Sequence, residues 1–72
     1  MKFLFKTYGL QELGLLYFPK SSPQSASMQL IKWIKRSDKL KTGLEEAGYI
    51  PGQKLLTPKQ VYIIVDHIGE PG

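Results

Sequence analysis

The sequence predicts a mainly helical α+β fold: four helices in a helix-turn-helix-like arrangement, with a short β-ribbon wing and an N-terminal strand. Three observations predict it. Apolar residues recur at helical spacing in four separate stretches. Cap and stop residues, Ser22-Pro23, Ser37-Asp38, Gly48 and Thr57-Pro58, stand between those stretches. The remaining apolar runs, residues 2–7 and 49–56, are too brief for anything larger than ribbon-sized strands.

Residues 2–7 alternate Lys, Phe, Leu, Phe, Lys, Thr, which puts Phe3 and Phe5 on one strand face and Leu4 on the other. From Leu10, apolar side chains at Leu13, Leu16 and Tyr17 mark a first helix that Pro19 stops just beyond Phe18. Ser22 is suited to cap a second helix, with Pro23 at its first position, where a missing N–H costs nothing. Ala26, Leu30, Ile31, Trp33 and Ile34 fall in one arc of that helix, and Ser25, Gln29, Lys32, Lys35 and Arg36 fall opposite. Ser37 or Asp38 caps a third helix with Leu40, Leu44 and Ala47 as its stripe; Gly43 weakens it and Gly48 supplies the left-handed stop. Tyr49-Ile50 and residues 53–56 read as two short strands around a Pro51-Gly52 turn. Thr57 and Gln60 form a capping box for a last helix that buries Val61, Ile64, Val65 and Ile68 and ends at Gly69.

The 72 residues fit one small domain spanning 1–72. Ten Lys and Arg against six Asp and Glu give a net charge of +4, a bias toward polyanions if the charges share a face. Absence of cysteine excludes disulfides, thiolate metal sites and cysteine nucleophiles. The opening apolar run, Phe3-Leu4-Phe5, falls short of the roughly seven to fifteen residues of a signal peptide, and no stretch approaches the ~20 of a membrane span. A cytoplasmic protein with no membrane partner is the expectation.

Lys32, Lys35 and Arg36 share a face of the second helix, with Lys39 just beyond its end, and each could reach a phosphate. Ser25 and Gln29 on that face carry hydrogen-bonding groups of the kind that contact base edges. The same pattern also serves as the solvated face of an amphipathic helix. Trp33 could stack on bases or anchor a partner, but its place in the apolar arc predicts burial with Leu30, Ile34, Val61, Val65 and Ile68. His67, between Asp66 and Glu70 in the last turn of a helix, fits a cation at the helix carboxyl end. Glu45 and Glu46 point to different azimuths of their helix and lack the facing geometry of acid–base pairs. No phosphate-binding glycine loop opens a helix after a strand. Neither catalysis nor a cofactor is expected. Leu15 and Ile63 project away from their stripes, either to cover the N-terminal strand or to form an association surface.

Tyr8-Gly9-Leu10-Gln11-Glu12-Leu13-Gly14-Leu15-Leu16, and Lys54 through Val61 with Ile64, Val65 and Ile68, resemble the opening helix and the wing-to-helix segment of MerR and excisionase-type winged helix-turn-helix domains. That resemblance implies DNA binding, with the second helix in the major groove and Lys54 near the backbone. A closer resemblance covers nearly the whole chain. Phe5-Lys6-Thr7-Tyr8-Gly9, Leu16-Tyr17-Phe18-Pro19, Trp33-Ile34, Glu45-Glu46-Ala47-Gly48-Tyr49, Thr57-Pro58-Lys59-Gln60-Val61 and His67-Ile68-Gly69-Glu70-Pro71 resemble a family of short Bacteroidetes proteins, domain of unknown function forty-two forty-eight. It implies a bacterial, stand-alone protein without known activity. The functional expectation is duplex DNA binding through Ser25, Gln29, Lys32, Lys35, Arg36, Lys39 and Lys54. The alternative is a protein partner, or a second copy, held by Leu15, Ile63 or Trp33.

Overall fold

A computed structural model describes residues 4–71. The chain runs β1 (Tyr8–Gly9), α1 (Leu10–Tyr17), α2 (Pro23–Arg36), α3 (Asp38–Glu46), β2 (Leu55–Leu56) and α4 (Pro58–Ile68). The α+β class and the four helices are as the sequence predicts. Three of the caps lie where the side-chain chemistry places them: Ser22 Oγ accepts from Ser25 N, Ser37 Oγ from Leu40 N, and Thr57 Oγ1 from Gln60 N. Ser37 alone separates α2 from α3.

The core joins Leu13 of α1, Leu30 and Ile34 of α2, Leu40 and Leu44 of α3, Leu56 of β2, and Val61, Ile64 and Val65 of α4, with Tyr8 closing one edge. Leu10, Tyr17, Trp33, Tyr49, Ile63 and Ile68 pack around it, half-buried. The α1 stripe differs from expectation. Leu16 is 42% exposed and Leu15 half-buried, because the inward positions are Leu10, Leu13, Gly14 and Tyr17. Gly14 has no side chain to count as apolar, yet a Cβ there would lie 2.8 Å from the carbonyl carbon and oxygen of Ala26 and 3.0 Å from Ser27 N. Thus α1 meets α2 backbone to backbone, which turns Leu13 inward and Leu16 outward.

The expected ribbon does not form. Residues 50–53 make a turn with Pro51 and Gly52 at its centre (Gly52 φ +89°, Gln53 N donating to Ile50 O at 3.0 Å). The flanking N–H groups are engaged elsewhere. Tyr49 N donates to Leu44 O and Gly48 N to Glu45 O, the paired bonds that end a helix through a left-handed residue, here Gly48 at φ +86°. Ile50 N donates to Gln53 Oε1. β2 therefore pairs with β1, antiparallel, in register Tyr8↔Leu56 and Gly9↔Leu55, and Leu10 N extends the contact to Lys54 O. The N-terminal strand accordingly falls at Tyr8–Gly9, later than residues 2–7; Lys2 and Phe3 lie outside the described residues. Without a self-paired 49–56 hairpin there is no wing of the winged-helix kind among the described residues.

Two glutamines hold the 47–57 segment. Gln60, 1% exposed, accepts on Oε1 from Thr57 N (3.1 Å) and Gln53 Nε2 (2.5 Å), and donates from Nε2 to Ala47 O (3.1 Å). Gln53 Nε2 also donates to Leu55 O. A capping glutamine thus ties the end of α3, the turn, β2 and the start of α4 into one network.

Two glycine substitutions should move stability in opposite directions. Helix propensity favours Ala over Gly by about 1 kcal/mol. Gly43→Ala places a Cβ 3.4 Å from Ile63 Cγ2, an ordinary contact, and should raise the melting temperature. Gly14→Ala should lower it despite the same propensity gain, since overpacking costs about 1–3 kcal/mol; a rise would remove the close crossing from the account. Gln60→Ala strips partners from Thr57, Gln53 and Ala47 and should cost about 2–4 kcal/mol in urea unfolding, against about 1 kcal/mol for Thr57→Ala.

Candidate nucleic-acid interface

With Ala26, Ser27, Leu30 and Ile34 buried, the opposite side of α2 faces solvent along its length. Ser25, Gln29, Lys32 and Arg36, at i, i+4, i+7 and i+11, form one stripe of that side, with Lys35 beside it. Fourteen residues make this helix about 21 Å long, more than the ~12 Å width of a DNA major groove. Lys32, Lys35 and Arg36 border a shallow depression with Gln29 and Trp33, and Ser25, Gln29 and Lys32 border its continuation with Met28. Among the described residues, none of these three cations forms an ion pair. Their charge is available to a ligand.

The other two basic residues expected at this site lie elsewhere. Lys39 opens onto α3 beside Asp38, Thr42 and Glu46. Lys54 lines a cleft with Gln11 and Ser27 that no basic residue of α2 borders, because β2 pairs with β1 instead of forming a wing. Gln29 has a role that spacing alone does not reveal: its Nε2 donates to Ser21 Oγ (2.9 Å) and, at 3.4 Å, to Ser25 O and Ser25 Oγ, bracing the turn before α2. Bidentate recognition of adenine needs both amide atoms, so Gln29 would have to exchange those bonds or offer Oε1 alone.

Trp33 is half-buried, short of the burial expected from its arc. It lies between the cationic face and two aromatic rings, Phe18 at 4.7 Å and Tyr17 at 5.8 Å, both edge-on. The ring fills the space left where α1 ends and the chain turns back at Pro19. Tyr17 Oη donates to Gly69 O at 2.6 Å, linking α1 to the end of α4. Burial, and next the Glu70 carboxylate, push its pKa up to about 12, so it remains a donor at neutral pH. Ile63 does not project outward as expected: it packs on the core over Gly43, where α3 lacks a side chain. His67 Nδ1 lies 3.1 Å from Ile63 O in the last turn of α4. Among the described residues, no group of three or more His, Asp or Glu side chains converges as metal ligands would, and no helix is long and apolar enough to cross a membrane.

The Tyr17 bond carries a pH signature. Its folded-state value lies above the unfolded value of about 10, so its contribution to stability is complete below about pH 10 and is lost as the pH rises toward about 12. Urea unfolding across that window should show a decline that Tyr17→Phe reduces. An identical alkaline slope in the variant would assign the decline to other groups.

Comparison with curated proteins found no match, and neither did comparison with solved structures. A family model does match, over residues 4–71, nearly the whole chain. The protein therefore belongs to the family described as a domain of unknown function, DUF4248.

Proposed function

We propose that this chain is a non-catalytic, cytoplasmic nucleic-acid-binding protein that presents the solvent face of α2 to the major groove of duplex DNA. One observation carries the reading: Lys32, Lys35 and Arg36 gather on one helix face, with no ion pair to any of them among the described residues, and Ser25 and Gln29 share that face. A helix that merely needed solubility would gain as much from cations paired with carboxylates. Cations in the last turn of a helix also favour its carboxyl end, which accounts for Lys35 and Arg36 but not for Lys32, a turn earlier. Phosphate contacts from these three groups would supply affinity, and Ser25 Oγ with Gln29 Oε1 would be the atoms left for base edges.

Three phosphate contacts predict that log affinity for random-sequence duplex DNA falls against log salt with a slope of about −2.7. Lys35→Gln should flatten that slope by about 0.9 for every sequence. Lys39→Gln and Lys54→Gln, which lie off the face, should leave it unchanged, as should the exposed controls Lys6→Gln and Lys20→Gln. Equal losses from the controls and from Lys32, Lys35 and Arg36 would mean diffuse attraction to a +4 protein and would refute a role for α2.

A further inference from the structure

A second concave surface lies between α2, α3 and the 50–53 turn. Its apolar lining comes from Ile31 and Ile34 of α2 and from Tyr49 and Pro51; Lys35 of α2 and Lys41 and Glu45 of α3 stand among the lining residues. The groove encloses about 490 Å³, within the ~300–1,000 Å³ of ligand-binding clefts. Ile34 is buried, whereas Ile31 is half-buried and is not among the side chains packed on the core. Ile50, in the adjoining turn, is 67% exposed. The Gly48 helix stop and the two glutamines hold that turn in place, so the groove is preformed.

From this we infer that the groove docks an acidic peptide segment of a partner protein, one that interleaves apolar side chains with Asp or Glu. Charge complementarity selects the occupant. Two lysines and one glutamate leave the groove with net positive charge, and although Lys41 and Glu45 are one turn apart on α3, none of the three forms an ion pair among the described residues. Lys35 and Lys41 come from different helices, so they suit charges spaced along a chain better than a single compact head group. The apolar lining suits leucine or phenylalanine side chains, which a nucleic acid backbone does not offer. Lys35 also borders the depression on the α2 face, so a docked acidic segment would withdraw it from DNA. That last consequence rests on the nucleic-acid reading; peptide docking itself does not.

The test uses fluorescein-labelled synthetic peptides of alternating Glu and Leu or Phe, with two controls: Lys in place of Glu, and Gly in place of the apolar residues. Anisotropy gives affinity, and amide shifts of the ¹⁵N-labelled chain give location. Only the peptide that is both acidic and apolar should bind, moving the amide signals of Ile31, Lys41, Tyr49 and Gly52. Lys41→Glu, a change at an exposed position that leaves the core intact, should weaken binding at least about tenfold, and Lys32→Gln should leave it unchanged. Ile31→Ser should also weaken it. Four results would overturn the inference: no binding up to about 1 mM; equal binding by the Gly peptide, which would mean charge alone; binding of decanoate in the groove while the peptides fail, which would mark a site for small amphiphiles; or concentration-dependent shifts of the groove amides without peptide, which would mark a contact between copies.

Discussion

The way α2 presents its outer face depends on one close approach, that of the Gly14 backbone to Ala26 and Ser27. Helix axes normally stand 8–10 Å apart because side chains hold them there. Here a residue without a side chain meets small ones, and α1 settles onto α2 with Leu13 turned into the core. Once that face of α2 is covered, the positions left in water include Ser25, Met28, Lys32, Lys35 and Arg36, with Gln29 half-buried among them. The cationic stripe is thus a consequence of packing on the far side of the same helix.

A second constraint acts on the chain between α3 and α4. The left-handed stop at Gly48 takes up the Tyr49 N–H, and the Gln53 and Gln60 side chains take up the Ile50 and Thr57 N–H groups. With the Tyr49 and Ile50 donors taken up in this way, that stretch does not pair with Leu55–Leu56, which pairs with Tyr8–Gly9 instead. Buried polar side chains with all their bonds made specify a single path; Gln60 does this while also capping a helix.

Local chemistry was readable from the sequence and spatial adjacency was not. The starts of α2 and α4 follow from Ser22-Pro23 and Thr57-Pro58, because a cap and its helix lie within four residues of each other. The stripe Val61, Ile64, Val65 and the burial of Leu30 and Ile34 follow from period alone. Tyr8 and Leu56, by contrast, pair from opposite ends of the chain, and no local pattern announces it. Gly14 has no apolar side chain to mark its inward position in the helical period. Proximity in sequence puts Lys39 with the α2 cations and analogy to a wing puts Lys54 there, but Lys39 belongs to α3 and borders Thr42 and Glu46, and the β1–β2 pairing leaves Lys54 in a cleft with Gln11 and Ser27. Trp33 belongs to the apolar arc, but it sits at the margin of that arc, where a ring wide enough to reach the core also reaches solvent.

The two-stranded sheet also bears on the order in which the molecule assembles. The contact between α1 and α2 closes over a short turn and needs little loop entropy, whereas the β1–β2 pair and the Tyr17–Gly69 bond, 52 residues apart, can close only after the intervening helices have docked. The α1–α2 hairpin is therefore the natural nucleus, and the sheet a late seam. Of its four residues only Tyr8 and Leu56 are buried, so native-state opening should begin on the exposed side of the seam, releasing Leu55 and residues 4–7 while Tyr8, Leu56 and the helices stay packed.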